Sequence, residues 1–278
     1  MIEIDAYSPQ EIARKVETLG VTKARCDTLT VLVLAVLAGA FISLGAIFFM
    51  VVVTDSALGF GVNRLLGGVA FSLGLILVVV GGAELFTGNN LIAMAWASRK
   101  VSTGEVLRNW VLVYFGNVVG ALGTVALVGI GGVHRFGGGA VGQTVLAIGR
   151  QKASLGFWEA LALGVLCNTL VCLSVWLAMG GRGVTDKILA IVFPISAFVT
   201  VGFEHSIANM FFLPYAIALD GFGGSSLWLG SVRNLAAVTA GNVIGGTLLV
   251  AGVYWMAYLR GGLPGGDAEP PEGLADGG

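Results

Sequence analysis

The sequence predicts an all-α integral membrane protein. Six transmembrane helices form two inverted three-helix repeats, with the second and fifth helices broken. Three observations carry that prediction. Of 278 residues, 56% are hydrophobic and 11% charged, against roughly 25% charged in a soluble domain. Apolar stretches near the ~20 residues needed to cross a bilayer recur along the chain. A motif also recurs: Gly82-Ala83-Glu84-Leu85-Phe86-Thr87-Gly88-Asn89 and Gly202-Phe203-Glu204-His205-Ser206-Ile207-Ala208-Asn209 both read G-x-E-x-x-x-x-N, 120 residues apart. Downstream, Arg108-Asn109 with Gly116-Asn117-Val118-Val119-Gly120 and Arg233-Asn234 with Gly241-Asn242-Val243-Ile244-Gly245 share R-N-x6-G-N-V-x-G.

Taken in order, residues 1–28 read as a cytoplasmic amphipathic helix lying at the membrane surface. Ser8-Pro9-Gln10-Glu11 has capping-box spacing with proline at the first helical position. Ile12, Val16 and Leu19 then recur at helical spacing. The transmembrane unit spans 29–260, with repeat one over about 29–131 and repeat two over about 157–259. Its first span runs from Leu29 to Val53. The second, Leu65 to Gly81, breaks at Glu84 and resumes from Leu91 to Ala97. The third runs from Trp110 to Gly131, and Val141 to Arg150 reads as a short interfacial helix. The fourth is Phe157 to Met179. The fifth, Ile188 to Val201, breaks at Glu204-His205 between Pro194 and Pro214 and resumes from Ile207 to Leu219. The sixth is Leu227 to Leu259, followed by a Gly/Pro-rich acidic tail over 261–278 that reads as disordered.

Orientation follows from the basic residues. Arg14, Lys15, Lys23, Arg25, Arg99, Lys100, Arg108, Arg182, Lys187 and Arg260 fall on one face; Arg64, Arg135, Arg150, Lys152 and Arg233 fall on the other. Both termini are therefore expected in the cytoplasm, with the protein in the plasma (inner) membrane. An odd number of spans per repeat inverts the second repeat. The two breaks then meet near the midplane, the arrangement that marks a transport pathway. A net charge of −1 gives no reason to invoke nucleic acid. Cys26, Cys167 and Cys172 form neither a disulfide framework nor a zinc motif. No metal, cofactor or catalytic residue is expected.

Three ordered stretches identify the family that this chain resembles. Gly81 through Gly88, Gly164-Val165-Leu166-Cys167-Asn168-Thr169-Leu170-Val171-Cys172-Leu173, and Gly202 through Met210 resemble the signatures of the formate/nitrite transporter family. Thr169 and Ser174 depart from the usual apolar residue and alanine without removing a polar group. The resemblance implies an aquaporin-like fold assembled as a homopentamer in the lipid bilayer, each protomer with its own pore. By the same resemblance, Thr87 and His205 meet at the pore centre. Phe71 and Leu75 form the outer constriction, Leu85 and Phe198 the inner one, and Lys152 and Asn168 an outer anion-attracting network.

Read from the residues, an ionisable pair inside an apolar run faces a cavity or a partner. Glu84 and Glu204 are expected to brace the breaks by accepting the freed backbone amides, which is favoured over proton relay. Asn89 and Asn209 are expected to cap the half-helices. Asn117 and Asn242 are expected to bond between helices. The expected function is a channel or transporter for a small weak-acid anion: formate first, then nitrite or hydrosulfide. The anion gains a proton near His205 and crosses the apolar constrictions as neutral acid. Two alternatives stand beside it. A neutral-solute channel of aquaporin or ammonium type lacks Asn-Pro-Ala boxes and paired pore histidines. An intramembrane hydrolase built on His205 and Ser206 lacks a nucleophile motif.

Overall fold

A computed structural model describes residues 7–222 and 224–261; the acidic tail lies outside the described residues. Every regular element among those residues is helical. In order they are α1 (Pro9–Arg25), α2 (Thr28–Val53), α3 (Phe60–Gly81), a 3₁₀ turn (Gly88–Ile92) with α4 (Ala93–Ala97), α5 (Thr103–Ile130), α6 (Ala140–Ser154), α7 (Phe157–Gly180), α8 (Val184–Val201), α9 (Ser206–Leu219), and α10 (Ser225–Ile244). A π-helical turn (Gly245–Gly252) carries α10 into α11 (Val253–Tyr258). Six of these helical stretches are long and apolar enough to cross a membrane, the last running unbroken over Ser225–Tyr258. The chain is a multi-pass membrane protein.

Packing repeats between the halves. α2 lies against α3 and α5, α7 lies against α8 and α10, and α3 meets α8 at the seam. In lipid, such contacts rest on close approach and not on expulsion of water, so small residues sit at the crossings. A Cβ on Gly120 would lie 2.0 Å from the Val36 carbonyl oxygen, and one on Gly245 2.2 Å from that of Val165. The GxxxG pairs thus seat the third helix of each half against its first.

The capping box at Ser8 forms as expected, with the Ser8 amide 2.7 Å from Glu11 Oε2 and the Glu11 amide 3.3 Å from Ser8 Oγ. The helix it starts is no loose leader. Ile12, Ala13 and Val16 are buried with Leu91, Met94 and Trp176. In the first half α1 holds the place that α6 holds in the second, so the repeat extends beyond the spans.

The breaks are made by glycine. Pro194 and Pro214 sit inside α8 and α9. α3 ends where Gly82 takes φ 79°, and α8 where Gly202 takes φ 92°, a left-handed conformation that costs glycine least. At each end two successive amides fold back on one carbonyl: Gly82 and Ala83 on Val78, Gly202 and Phe203 on Phe198.

Candidate functional site

The two breaks deliver the two residues that meet. Thr87 follows the first, His205 follows the second, and Thr87 Oγ1 lies 3.0 Å from His205 Nε2 with both side chains buried. His205 is also the N-cap of α9: its Nδ1 accepts the Ala208 amide at 3.1 Å. That bond fixes the tautomer. A nitrogen that accepts an amide hydrogen carries none, so the ring is neutral and Nε2–H donates to Thr87. The Thr87 hydroxyl hydrogen has no acceptor among the described residues.

Each break is held by the same polar set. Lys152 Nζ lies 2.7 Å from Glu204 Oε1; Asn209 Nδ2 donates to Glu204 Oε2 at 2.7 Å and to Asn234 Oδ1 at 2.8 Å; Asn234 Nδ2 returns to the Lys152 carbonyl at 3.0 Å. In the first half, Lys23 Nζ lies 2.6 Å from Glu84 Oε1, Asn89 Nδ2 donates to Glu84 Oε2 and Asn109 Oδ1, and Asn109 Nδ2 returns to the Lys23 carbonyl. The carboxylates therefore brace through side chains, and the freed amides go elsewhere. Asn117 Oδ1 accepts the Phe86 amide while its Nδ2 donates to the carbonyls of Ala35 and Glu84. Asn242 does the same for Ser206, Gly164 and Glu204. The cap expected of Asn209 is His205, because the histidine precedes the first turn and the asparagine falls inside it.

A cavity of about 230 Å³ opens beside His205 on the α6 side, lined among others by Phe71, Phe198, Lys152, Glu204 and Arg64. Phe71 and Phe198 face each other edge-on at 5.7 Å, and Phe198 lies over His205 at 6.0 Å. Phe198 pairs with Phe71 across the α3–α8 seam, and Leu75 and Leu85 are buried and do not line this cavity. Asn168 is fully buried and does not line it. Its Nδ2 donates to the Thr87 carbonyl at 3.2 Å and to those of Asn90 and Asn242 at 2.8 and 2.7 Å, the Asn90 partner being the side chain. A Cβ on Gly246, in the π turn, would strike Asn168 Nδ2 at 2.6 Å. The π turn and Asn168 thus position Thr87 from behind.

The formate/nitrite transporter family model matches residues 10–256. The chain belongs to the formate/nitrite transporter family. It is 42% identical over 273 residues to the formate channel FocA of Escherichia coli (strain K12), covering 92% of this chain and 96% of that one. With the formate channel BtFdhC of Bacillus thuringiensis it shares 39% over 257 residues, covering 91% and 96%. Among solved structures, a pentameric formate channel with formate bound is similar at a TM-score of 0.76 and 41% identity, over 84% of this chain and 98% of that one. A family ion channel gives 0.78 and 30%, over 88% and 98%.

Reading the sequence missed Lys23 and Arg64 as site residues. Lys23-Ala24 and Lys152-Ala153 share a dipeptide at the end of equivalent helices, a signal too short to see without the longer repeat. Arg64 looked like a loop charge.

Proposed function

We propose that the chain is a channel for small monovalent weak-acid anions, formate first, with nitrite and hydrosulfide behind it, working as a homopentamer in the plasma membrane. Both termini and the Lys23 face are cytoplasmic, and Lys152 is on the outer face. The pentamer and the preference for formate rest on the similar channels. The observation that carries the passage site is the buried Thr87–His205 contact, made by one residue from each break.

An anion entering from the α6 side meets Lys152, already paired with Glu204, and then the Phe71–Phe198 ring pair. A bare charge between apolar rings is strongly opposed, whereas a neutral acid is not. Thr87 supplies its hydroxyl hydrogen to an oxygen or sulfur of the passing species, while His205 Nε2–H holds the Thr87 oxygen in place. Because Nδ1 is committed to the Ala208 amide, a second proton on the ring costs the helix its cap. The proton therefore reaches the anion through water, and the imidazole orients the Thr87 hydroxyl without becoming imidazolium. Leu75 and Leu85 form the constriction on the cytoplasmic side. Both imidazole nitrogens are engaged away from Ser206, which leaves that hydroxyl without a base and disfavours a hydrolase.

Substitution of the pair tests this. In proteoliposomes, His205→Ala and Thr87→Val are expected to lower formate flux at pH 7 by about a hundredfold, the effect of removing one preorganised donor in a dry site. Flux that is unchanged in both would remove the site and leave the fold standing.

A further inference from the structure

The outer cavity holds a cation to which neither the family motifs nor the repeat gave a role. Arg64, from the first turns of α3, reaches across to the end of α8. Its Nε donates to the Thr200 carbonyl at 3.0 Å and its Nη2 to the Val199 carbonyl, while Thr200 Oγ1 donates back to the Arg64 carbonyl at 3.3 Å. A Cβ on Gly202, the break residue, would lie 3.3 Å from Nη2. Among the described residues no carboxylate pairs with Arg64, and Nη1 bonds no protein atom.

The charge balance of the cavity depends on this residue. Its ionisable lining is Arg64, Lys152, Glu204, Glu159 and His205. Lys152 and Glu204 neutralise each other at 2.7 Å, and His205 is neutral. Without Arg64 there remain the exposed Glu159 and the carbonyl end of α8, which carries roughly half a negative charge. That is a mouth that repels anions. Arg64 covers those carbonyls and is the one lysine or arginine of this lining with no carboxylate partner among the described residues. Among the described residues the inner half has no equivalent: the carbonyl end of α3 receives no side-chain donor.

We propose that Arg64 is the residue that makes the outer mouth receptive to anions, setting the affinity for external anion and not the rate of passage. This rests on the anion-channel reading above. The test uses the full-length protein in oriented proteoliposomes, with formate as probe and flux measured separately from each side. Arg64→Gln keeps donors for the α8 carbonyls and removes the charge; Arg64→Lys keeps the charge. For entry from the α6 side at low ionic strength, KM is expected to rise about tenfold in Arg64→Gln. It should stay within about threefold of wild type in Arg64→Lys, with maximal rates within about twofold and entry from the other side unchanged. At about 1 M salt, where the screening length falls to ~3 Å, the difference should vanish. Equal losses in both variants, or a KM effect that survives high salt, would make Arg64 merely a helix cap and overturn the proposal. An unchanged Arg64→Gln would overturn it too, yet leave the channel reading intact. A wild type that moves none of formate, nitrite or hydrosulfide removes both.

Discussion

At the residue scale, charges in the membrane are tolerated here because each is answered. Glu204 is almost fully buried, with side-chain exposure of 5%, and is satisfied by Lys152, Asn209 and Asn234. Removing one member of a buried pair strands the other, at about 3–5 kcal/mol, whereas replacing both is close to neutral. Lys152→Met should therefore lower the unfolding temperature in detergent sharply, and Lys152→Met with Glu204→Gln should recover most of the loss. A double variant no more stable than the single one would show that the pair does not hold the break. Asn242→Ala strips the Ser206 amide and two carbonyls of their partner and should cost about 1–3 kcal/mol by the same measurement. The side chains of Glu84, Glu204 and His205 stood out in the sequence because ionisable groups are conspicuous in an apolar run, and the meeting of Thr87 with His205 was implied by the family resemblance. The partners of the two carboxylates were not legible. A carboxylate's choice between a backbone amide and a lysine from another helix depends on how the helices cross.

At the element scale, the spans were legible because length and hydropathy alone set them. The cause of the second break was misread: Pro194 and Pro214 catch the eye, but a left-handed glycine ends α8, as one ends α3. Nothing in the pattern announced the π turn at Gly245–Gly252, in which Gly246 passes close to Asn168. α1 was read as lying on the membrane surface because its amphipathic pattern fits a bilayer surface and a protein groove equally. The Ser8 backbone amide, then the Ser8 hydroxyl, hold Glu11 below its ordinary value of 4.5. A depressed folded value means that the cap contributes above about pH 4.5 and is lost as pH falls below it. Hydrogen exchange at the Ser8 and Glu11 amides should therefore accelerate relative to Glu11→Gln as the solution is acidified. Identical acid profiles for the two proteins would show that the box does not form.

At the scale of the whole molecule, two inverted halves bring one polar residue each to a buried meeting point that neither half could build alone. The repeat was visible in G-x-E-x-x-x-x-N, but its full extent, with α1 answering α6 through Lys23 and Lys152, appears only when the halves are laid side by side. The proposed passage as neutral acid makes a claim about charge that a single measurement can settle. Wild-type protein in liposomes, with the membrane potential clamped and internal pH reported, is given external formate over pH 5 to 8. The account predicts one proton entering per formate, with uptake indifferent to the imposed potential. Uptake that follows the potential and leaves internal pH unchanged would mean that formate crosses as the bare anion, in contradiction to the account.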